Sequence, residues 1–475
     1  MKHASKLTSV IQEIIDRWEI PGLAVGVVRG SDIVYTKVFG VQSLETNRPV
    51  TPESIFCVAS VSKPFVATAA MQLAELGKLE LDTELIRYLP SLEMADERYQ
   101  QITPRQLLSH TSGMPDLDEA EYLELWKHPE FDAGASARLV QSLKNKRLIA
   151  NPGEEFGYSN IGYNILGSVI TAVSGVSFEE YMKEKVLKPS NMRDSSFLLD
   201  DIPVDRLAVP HIRSPRIRTS PIYPYHRADN PSSSLHASIL DMCQWCMMCL
   251  EQCRHGKDTI LKPVGFDAMI KPTVGRGGMP IFQDMGLGWN IGDYKGAKTV
   301  GHLGGSAGLN SFLVIMPEKD LAVTLMFNAE SQSIYRLLWA CLDALVEEEP
   351  HAKTVSWMIP ISQALADGGI EKANDCATRL REHENHEAYF VESSSLIMLA
   401  QQLMIGEESD LAIAVLGMNI DAFPEFSDTY ILLARAYLSN GDIDRARSYL
   451  EEALRLDPGN TQTLEVLKGI RPTPH

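Results

Sequence analysis

The sequence predicts an α/β chain of the α+β type: one antiparallel sheet with terminal helices and a long helical insertion, followed by an all-α repeat domain. Three observations carry that prediction. Short β-rich runs lie near both ends of the first 350 residues, helical patterns fill the stretch between them, and beyond about His351 the apolar positions recur every 34 residues. Strands contributed from both ends of one segment close into a single sheet, and the intervening helices must cover a face of it. The expected domains are residues 1–350 and 351–475, in line with 475 residues at roughly 100–200 per domain.

Each element follows from its pattern. Leu7, Val10, Ile11, Ile14, Ile15 and Trp18 recur at three- and four-residue spacing, which is one apolar face of a helix ending before Pro21. Such a stripe lacks the unbroken apolar core of an export signal, so the expected compartment is the cytoplasm. GLAVGVV and IVYTKVFGV, joined by Arg29-Gly30-Ser31-Asp32, read as a hairpin. A helix-rich stretch follows from about Ser60 to Gly265, broken by loops such as the Pro/Ser-rich IRSPRIRTSPIYPYHRADNPSSS. GLGWNIG, KTVGHLG, NSFLVIMP and LAVTLMFN are again strands, and a helix from about Gln332 to Glu347 closes the unit.

The tail repeats. Leu396, Leu399, Ala400, Leu403, Ala412, Leu416 and Pro424 are matched 34 residues later by Tyr430, Leu433, Ala434, Tyr437, Ala446, Leu450 and Pro458. That period resembles the tetratricopeptide repeat, a helical hairpin whose small residues let its helices close. A degenerate third copy is read near Ala364–Leu380. A stack this short needs a capping surface, and two readings stay open: the tail packs on the first domain, or it serves a protein partner or self-association.

Composition excludes some partners. A formal net charge of −18, half of it from the residues after Pro350, repels phosphate backbones and anionic lipid, so neither nucleic acid nor membrane is expected. Seven cysteines form no disulfide framework. Cys243, Cys246, Cys249 and Cys253 match the spacing of an iron–sulfur run, but a helix places all four within about 120° of one face. They are read as small packing residues, with no metal or other cofactor expected.

Chemistry concentrates at three places. Ser60 and Lys63 stand three residues apart at the start of a helix whose first turn holds Pro64. A serine hydroxyl is a weak nucleophile until a base takes its proton, and a lysine with a lowered pKa does that. Tyr158-Ser159-Asn160 lies in a glycine-bounded loop leading into another helix, where a tyrosine can share the proton and an asparagine can bind a substrate carbonyl. His302-Leu303-Gly304-Gly305 ends a strand, and glycines there let a substrate pair along the edge and bring an amide into an oxyanion hole.

In this order and separation, and with ITPRQLLSHTSGMPD and the helical insertion, these elements resemble the serine β-lactamase and penicillin-binding superfamily, in its class C branch. The resemblance covers about Ser9 to Glu347 and implies a β-lactamase-like fold. By it, Ser60 is the nucleophile of an acyl-enzyme, Lys63 its deprotonating partner, and Tyr158 a proton shuttle. Asn160 orients substrate, and the Ser60 and Gly305 amides form the oxyanion hole. His110, in the H-T-S-G element, is structural. His302 takes the place of the lysine in the K-T-G strand motif, and Leu303 that of its threonine. The pair that would hold a substrate carboxylate is therefore a largely neutral imidazole and a side chain without a hydroxyl. The expected activity is hydrolysis of small carboxylic esters; the alternatives are an amide or D-amino-acid peptide hydrolase, a β-lactamase or penicillin-binding protein, and a non-catalytic adaptor.

Overall fold

The stripe near the N-terminus forms a helix, Ala4–Trp18, and its six apolar residues are the ones it buries. Glu19 ends it in the left-handed region at φ 55°. The computed structural model describes residues 3–254, 260–350, 354–382 and 389–470.

Strands Gly22–Arg29 and Asp32–Ser43 form the expected hairpin, with Gly30 at the turn in the left-handed region (φ 60°) that glycine adopts without strain. Gly22–Arg29 pairs antiparallel with Leu321–Phe327, Leu23 opposite Phe327. The sheet then runs on through Leu309–Met316, Ala297–Ser306 and Asn290–Tyr294 to short edge strands, nine in all. Its centre is thus built from both ends of the first 350 residues, an antiparallel sheet with a helical insertion as the sequence predicts.

The period-2 alternation of each central strand divides the core in two. Leu23, Val25, Val27, Phe312, Val314, Val323 and Leu325 face the terminal helices Ala4–Trp18 and Ser333–Leu345. Ala24, Val28, Leu313, Ile315, Ala322 and Met326 face the insertion. Across that second face lies the helix Ile239–Cys253, with Cys243, Cys246 and Cys249 fully buried. A Cβ on Gly26 would come within 2.3 Å of Cys243 Sγ, so glycine and cysteine meet where strand and helix run closest. Burial raises the thiol pKa values of these cysteines, as fits packing residues.

Two features differ from the sequence reading. The Pro/Ser-rich loop contains a small hairpin, His211–Arg213 with Ile217–Thr219, whose turn is the Ser-Pro-Arg punctuation itself. A strand of three residues is too short to show alternation. His236–Ser238, inside the stretch read as helix-rich, is also a strand and pairs with Ile55–Cys57, just before that stretch.

In the tail, Ser393–Ile405 with Ser409–Ala422 and Ser427–Ser439 with Ile443–Leu456 form two hairpins. The region read as a third copy lies in Met358–Glu382, broken at Gly368 and Gly369. The first hairpin does not pack only on its neighbour: Leu396, Leu399, Leu403 and Leu416 share one core with the N-terminal helix and the sheet face above it. Polar contacts reinforce the seam. Gln402 Oε1 accepts from Arg213 N at 2.7 Å, and Arg435 pairs with Asp118 at 2.7 Å.

Candidate active site

Ser60 rides on a 3₁₀ turn, Ala59–Ser62, that feeds the helix Lys63–Glu75 with Pro64 in its first turn. The α-helix proper therefore starts at Lys63 and not at Ser60. Ala59, just before Ser60, has φ 46°, a conformation that costs a non-glycine residue about 1–3 kcal/mol and persists only where its surroundings impose it. They do so here. Ser62 Oγ donates to Ala59 O at 2.7 Å and accepts from Leu235 N at 2.9 Å, while Ser311 Oγ donates to Val58 O at 2.6 Å.

Lys63 is fully buried, with Nζ 3.0 Å from Ser60 Oγ, 2.6 Å from Asn160 Oδ1 and 2.9 Å from Ser232 O. Burial pulls its pKa down to about 7, against Asp116 and Asp229, which pull it up. A neutral amine has two hydrogens and one lone pair. Asn160 Oδ1 and Ser232 O can only accept and so take both hydrogens, which leaves the lone pair facing Ser60. The geometry suits a base that removes the Ser60 proton.

Tyr158 OH lies 2.9 Å from Ser60 Oγ on the other side. Tyr158 is partly exposed, and desolvation of the oxygen that faces the site raises its pKa, so it is present as a phenol able to donate. His110 braces the ring: it stacks at 4.3 Å between centroids, and its Nδ1 accepts from Ser159 N at 3.2 Å. Burial, with the Lys63 charge second, holds the His110 pKa well below its ordinary value, consistent with the structural part expected of it.

Ser159 caps the helix Asn160–Ser174, its Oγ accepting from Gly162 N at 3.1 Å, and this puts Asn160 at the helix start. Asp116, which the sequence reading assigned no role, fixes the asparagine's orientation. Its Oδ2 accepts from Asn160 N at 3.1 Å and Nδ2 at 2.9 Å, while its Oδ1 accepts from Tyr122 OH at 2.9 Å. Asn160 thus turns its oxygen to Lys63 and commits one of its two amide hydrogens to Asp116, leaving the other for substrate. Asp229 is the second unforeseen acid: burial raises its pKa to about 7, and Asn164 Nδ2 donates to it at 2.7 Å.

The strand Ala297–Ser306 borders the cleft. A Cβ on Gly304 would sit 2.3 Å from Val58 O and 3.3 Å from Ser60 N, so glycine is what lets the strand pass this close to the nucleophile's turn. Gly305 follows it. His302 Nδ1 is 2.6 Å from Leu303 O; a carbonyl only accepts, so the proton is on Nδ1 and Nε2 is an acceptor. That Nε2 is buried with no hydrogen-bond partner among the described residues. Burial and then the Lys63 charge push the imidazole down to about 3, so it is neutral at pH 7.

A cation nonetheless reaches this side, from a segment the sequence reading passed over. Arg276 joins Tyr158, Asn290, His302 and Leu303 around a cleft of about 240 Å³. Its Nη1 donates to Phe282 O at 3.3 Å, and its Nε is buried without a partner among the described residues. No spacing marks Arg276; only its glycine-bounded setting, VGRGG, hints at a side chain held on a loop. Among the described residues there is no cluster of three or more His, Cys, Asp or Glu side chains able to hold a metal ion.

Comparison with known proteins agrees with this fold. The family described as Beta-lactamase matches residues 7–340, and Tetratricopeptide repeat matches residues 427–460. Protein flp of Staphylococcus aureus is 23% identical over 354 residues, 74% of this chain and 68% of that protein. The chain thus spans about two thirds of the length of the Flp relatives. Penicillin-binding protein 4 of Amycolatopsis lactamdurans is 26% identical over 321 residues, 65% of this chain and 81% of that one. Among solved structures, the octameric penicillin-binding protein homologue from Pyrococcus abyssi superposes with a TM-score of 0.65 at 28% identity, covering 76% of this chain and 80% of that one.

Proposed function

The chain belongs to the Beta-lactamase family, and from that premise we propose that it is a serine hydrolase whose Ser60 forms an acyl-enzyme with small carboxylic esters. The observation that carries the proposal is the lone pair of a buried Lys63, aimed at Ser60 because its two hydrogens are taken by Asn160 and Ser232. Ser60 Oγ attacks the ester carbonyl as Lys63 takes its proton. The amides of Ser60 and Gly305 hold the resulting oxyanion. The C–O bond to the alcohol then breaks as Tyr158 gives its phenol proton to the departing oxygen, and the Lys63 ammonium returns the Ser60 proton to the phenolate, so that both groups regain their starting forms. Water attacks the acyl-enzyme by the reverse relay and releases the acid.

Preference for a neutral ester rests on His302 and Leu303, which supply no positive charge where the K-T-G lysine would. Arg276 favours a second reading, in which its guanidinium receives the carboxylate of an amide or D-amino-acid peptide across the same cleft. Mass spectrometry after fluorophosphonate treatment tests the first step: the label is expected on Ser60, and an unlabelled Ser60 in folded protein defeats the mechanism. A panel of p-nitrophenyl esters and peptides with free or amidated carboxyl ends then separates the two substrates. Loss of activity on the amidated member of each pair favours Arg276 as the anchor.

A further inference from the structure

A second cavity, of about 170 Å³, shares no lining residue with the Arg276 cleft and lies where the helical tail meets the first domain. Tyr122 and Trp126 line it from the helix Glu119–Lys127, Gly305 from the strand, and Met404, Ile405 and Leu432 from the tail. Two of its walls belong to the catalytic centre. Gly305 supplies the proposed oxyanion amide, and Tyr122 holds Asp116, which orients Asn160 onto Lys63. The three tail residues lie outside the span matched by the Beta-lactamase family, so this wall is an addition made by the repeat.

We infer that the repeat walls an acyl pocket, and that its occupant is the neutral apolar acyl group of the ester, about four to six carbons long or a phenyl ring. This rests on the proposed Ser60 chemistry. The two cavities divide the ester between them. Tyr158 must meet the departing oxygen, and Tyr158 lines the Arg276 cleft, so the alcohol leaves by that side. The acyl group, attached to a carbonyl whose oxygen sits at Gly305, extends to the other side, into the cavity that Gly305 lines. Size sets the chain length: an apolar cavity of about 150 Å³ takes a benzene ring. Charge sets neutrality. Arg435 at the rim is paired with Asp118 at 2.7 Å, so it offers no free cation to an anionic group.

The same ion pair makes the tail a positioning element. Asp118 caps the helix Glu119–Lys127, accepting from Glu121 N at 2.9 Å, and this helix carries Tyr122 to Asp116. A contact from residue 435 therefore steadies the chain of hydrogen bonds that ends on Lys63.

The test uses the full chain and p-nitrophenyl esters from acetate to octanoate. Wild type is expected to peak in kcat/KM between butyrate and hexanoate. Leu432→Phe, which fills the pocket, is expected to lower the hexanoate-to-acetate ratio by roughly tenfold or more, the worth of a methylene or two in a fitted pocket. Met404→Phe, at a partly exposed position, gives the same reading should Leu432→Phe fail to fold. A flat wild-type profile, or a ratio unmoved in the folded variants, overturns the tail wall and leaves the Ser60 chemistry standing. Wild type that hydrolyses none of the esters and takes no fluorophosphonate defeats the Ser60 reading instead.

Discussion

The two flanks of Ser60 differ in how their polar groups are partnered. On the inner flank, Lys63, Asn160 and Asp116 close on one another, and each nitrogen and carboxylate oxygen of these three has a protein partner, though Asp229 Oδ2 and His110 Nε2 nearby have none among the described residues. On the outer flank, His302 Nε2 and Arg276 Nε are buried with none among the described residues. Leaving a buried polar group unsatisfied costs about 1–3 kcal/mol. The inner trio is therefore already held in the geometry that the proposed proton transfer needs, whereas His302 and Arg276 keep polar atoms that water or a substrate can meet. In the proposed mechanism, chemistry falls to the first and choice of substrate to the second.

Substitutions can break this division. The largest effect is expected from Ser60→Ala, which should abolish ester hydrolysis and fluorophosphonate labelling with little change in thermal midpoint; more than a few per cent residual activity contradicts the division at its root. Next come Tyr158→Phe, expected to cost about 10²–10⁴-fold in kcat, and Lys63→Ala, expected to cost at least as much. A Tyr158→Phe enzyme as active as wild type would reduce Tyr158 to a loop aromatic.

The pH profile sharpens the comparison. The amine of Lys63 is the working form, and its pKa is lowered to about 7, so kcat/KM should climb with pH, about tenfold per unit below 7, and level off above it. His302, neutral from about pH 3 upward, should add no inflection near 6.5. An inflection that moves when His302 is replaced would show that it is charged in the working enzyme.

Outer-flank changes should be smaller and should alter preference rather than chemistry. His302→Lys combined with Leu303→Thr is expected to shift relative acylation from neutral esters toward benzylpenicillin by roughly tenfold, the scale of one charge-assisted contact. Efficient penicillin turnover by unmodified protein, rivalling its best ester, contradicts the neutral-flank argument.

What could be read from the sequence follows the same line between local and distant causes. The stripe from Leu7 to Trp18 and the strands Leu309–Met316 and Leu321–Phe327 announce themselves because periodicity and turn residues are local signals. Ser60 and Lys63 are legible because three residues in a helix fix a shared face. Tyr158 and Asn160 become legible only through family likeness, for no rule of spacing brings residue 158 to residue 60. Asp116 stood inside a recognised motif, yet its work depends on Asn160, 44 residues away in sequence. Asp229 gave no sign and Arg276 only its flanking glycines, since each matters for what folds against it. The tail's 34-residue period reveals how its helices pair with one another. It is silent on Leu396 and Leu403 reaching the N-terminal helix, and on Arg435 finding Asp118, 317 positions earlier.

The pairing of Leu23 with Phe327 has a consequence for how the chain is born. The ribosome releases the first of these strands long before its central partner exists. With about 300 residues between them, made at roughly 5–20 residues per second, the wait is on the order of 15–60 s. Throughout it a strand destined to be buried along nearly its whole length meets water on both faces, next to a neighbour that covers one edge. A hairpin in that state is a natural client for a chaperone. The helical insertion, rich in local contacts, can meanwhile organise ahead of the sheet on which it will rest.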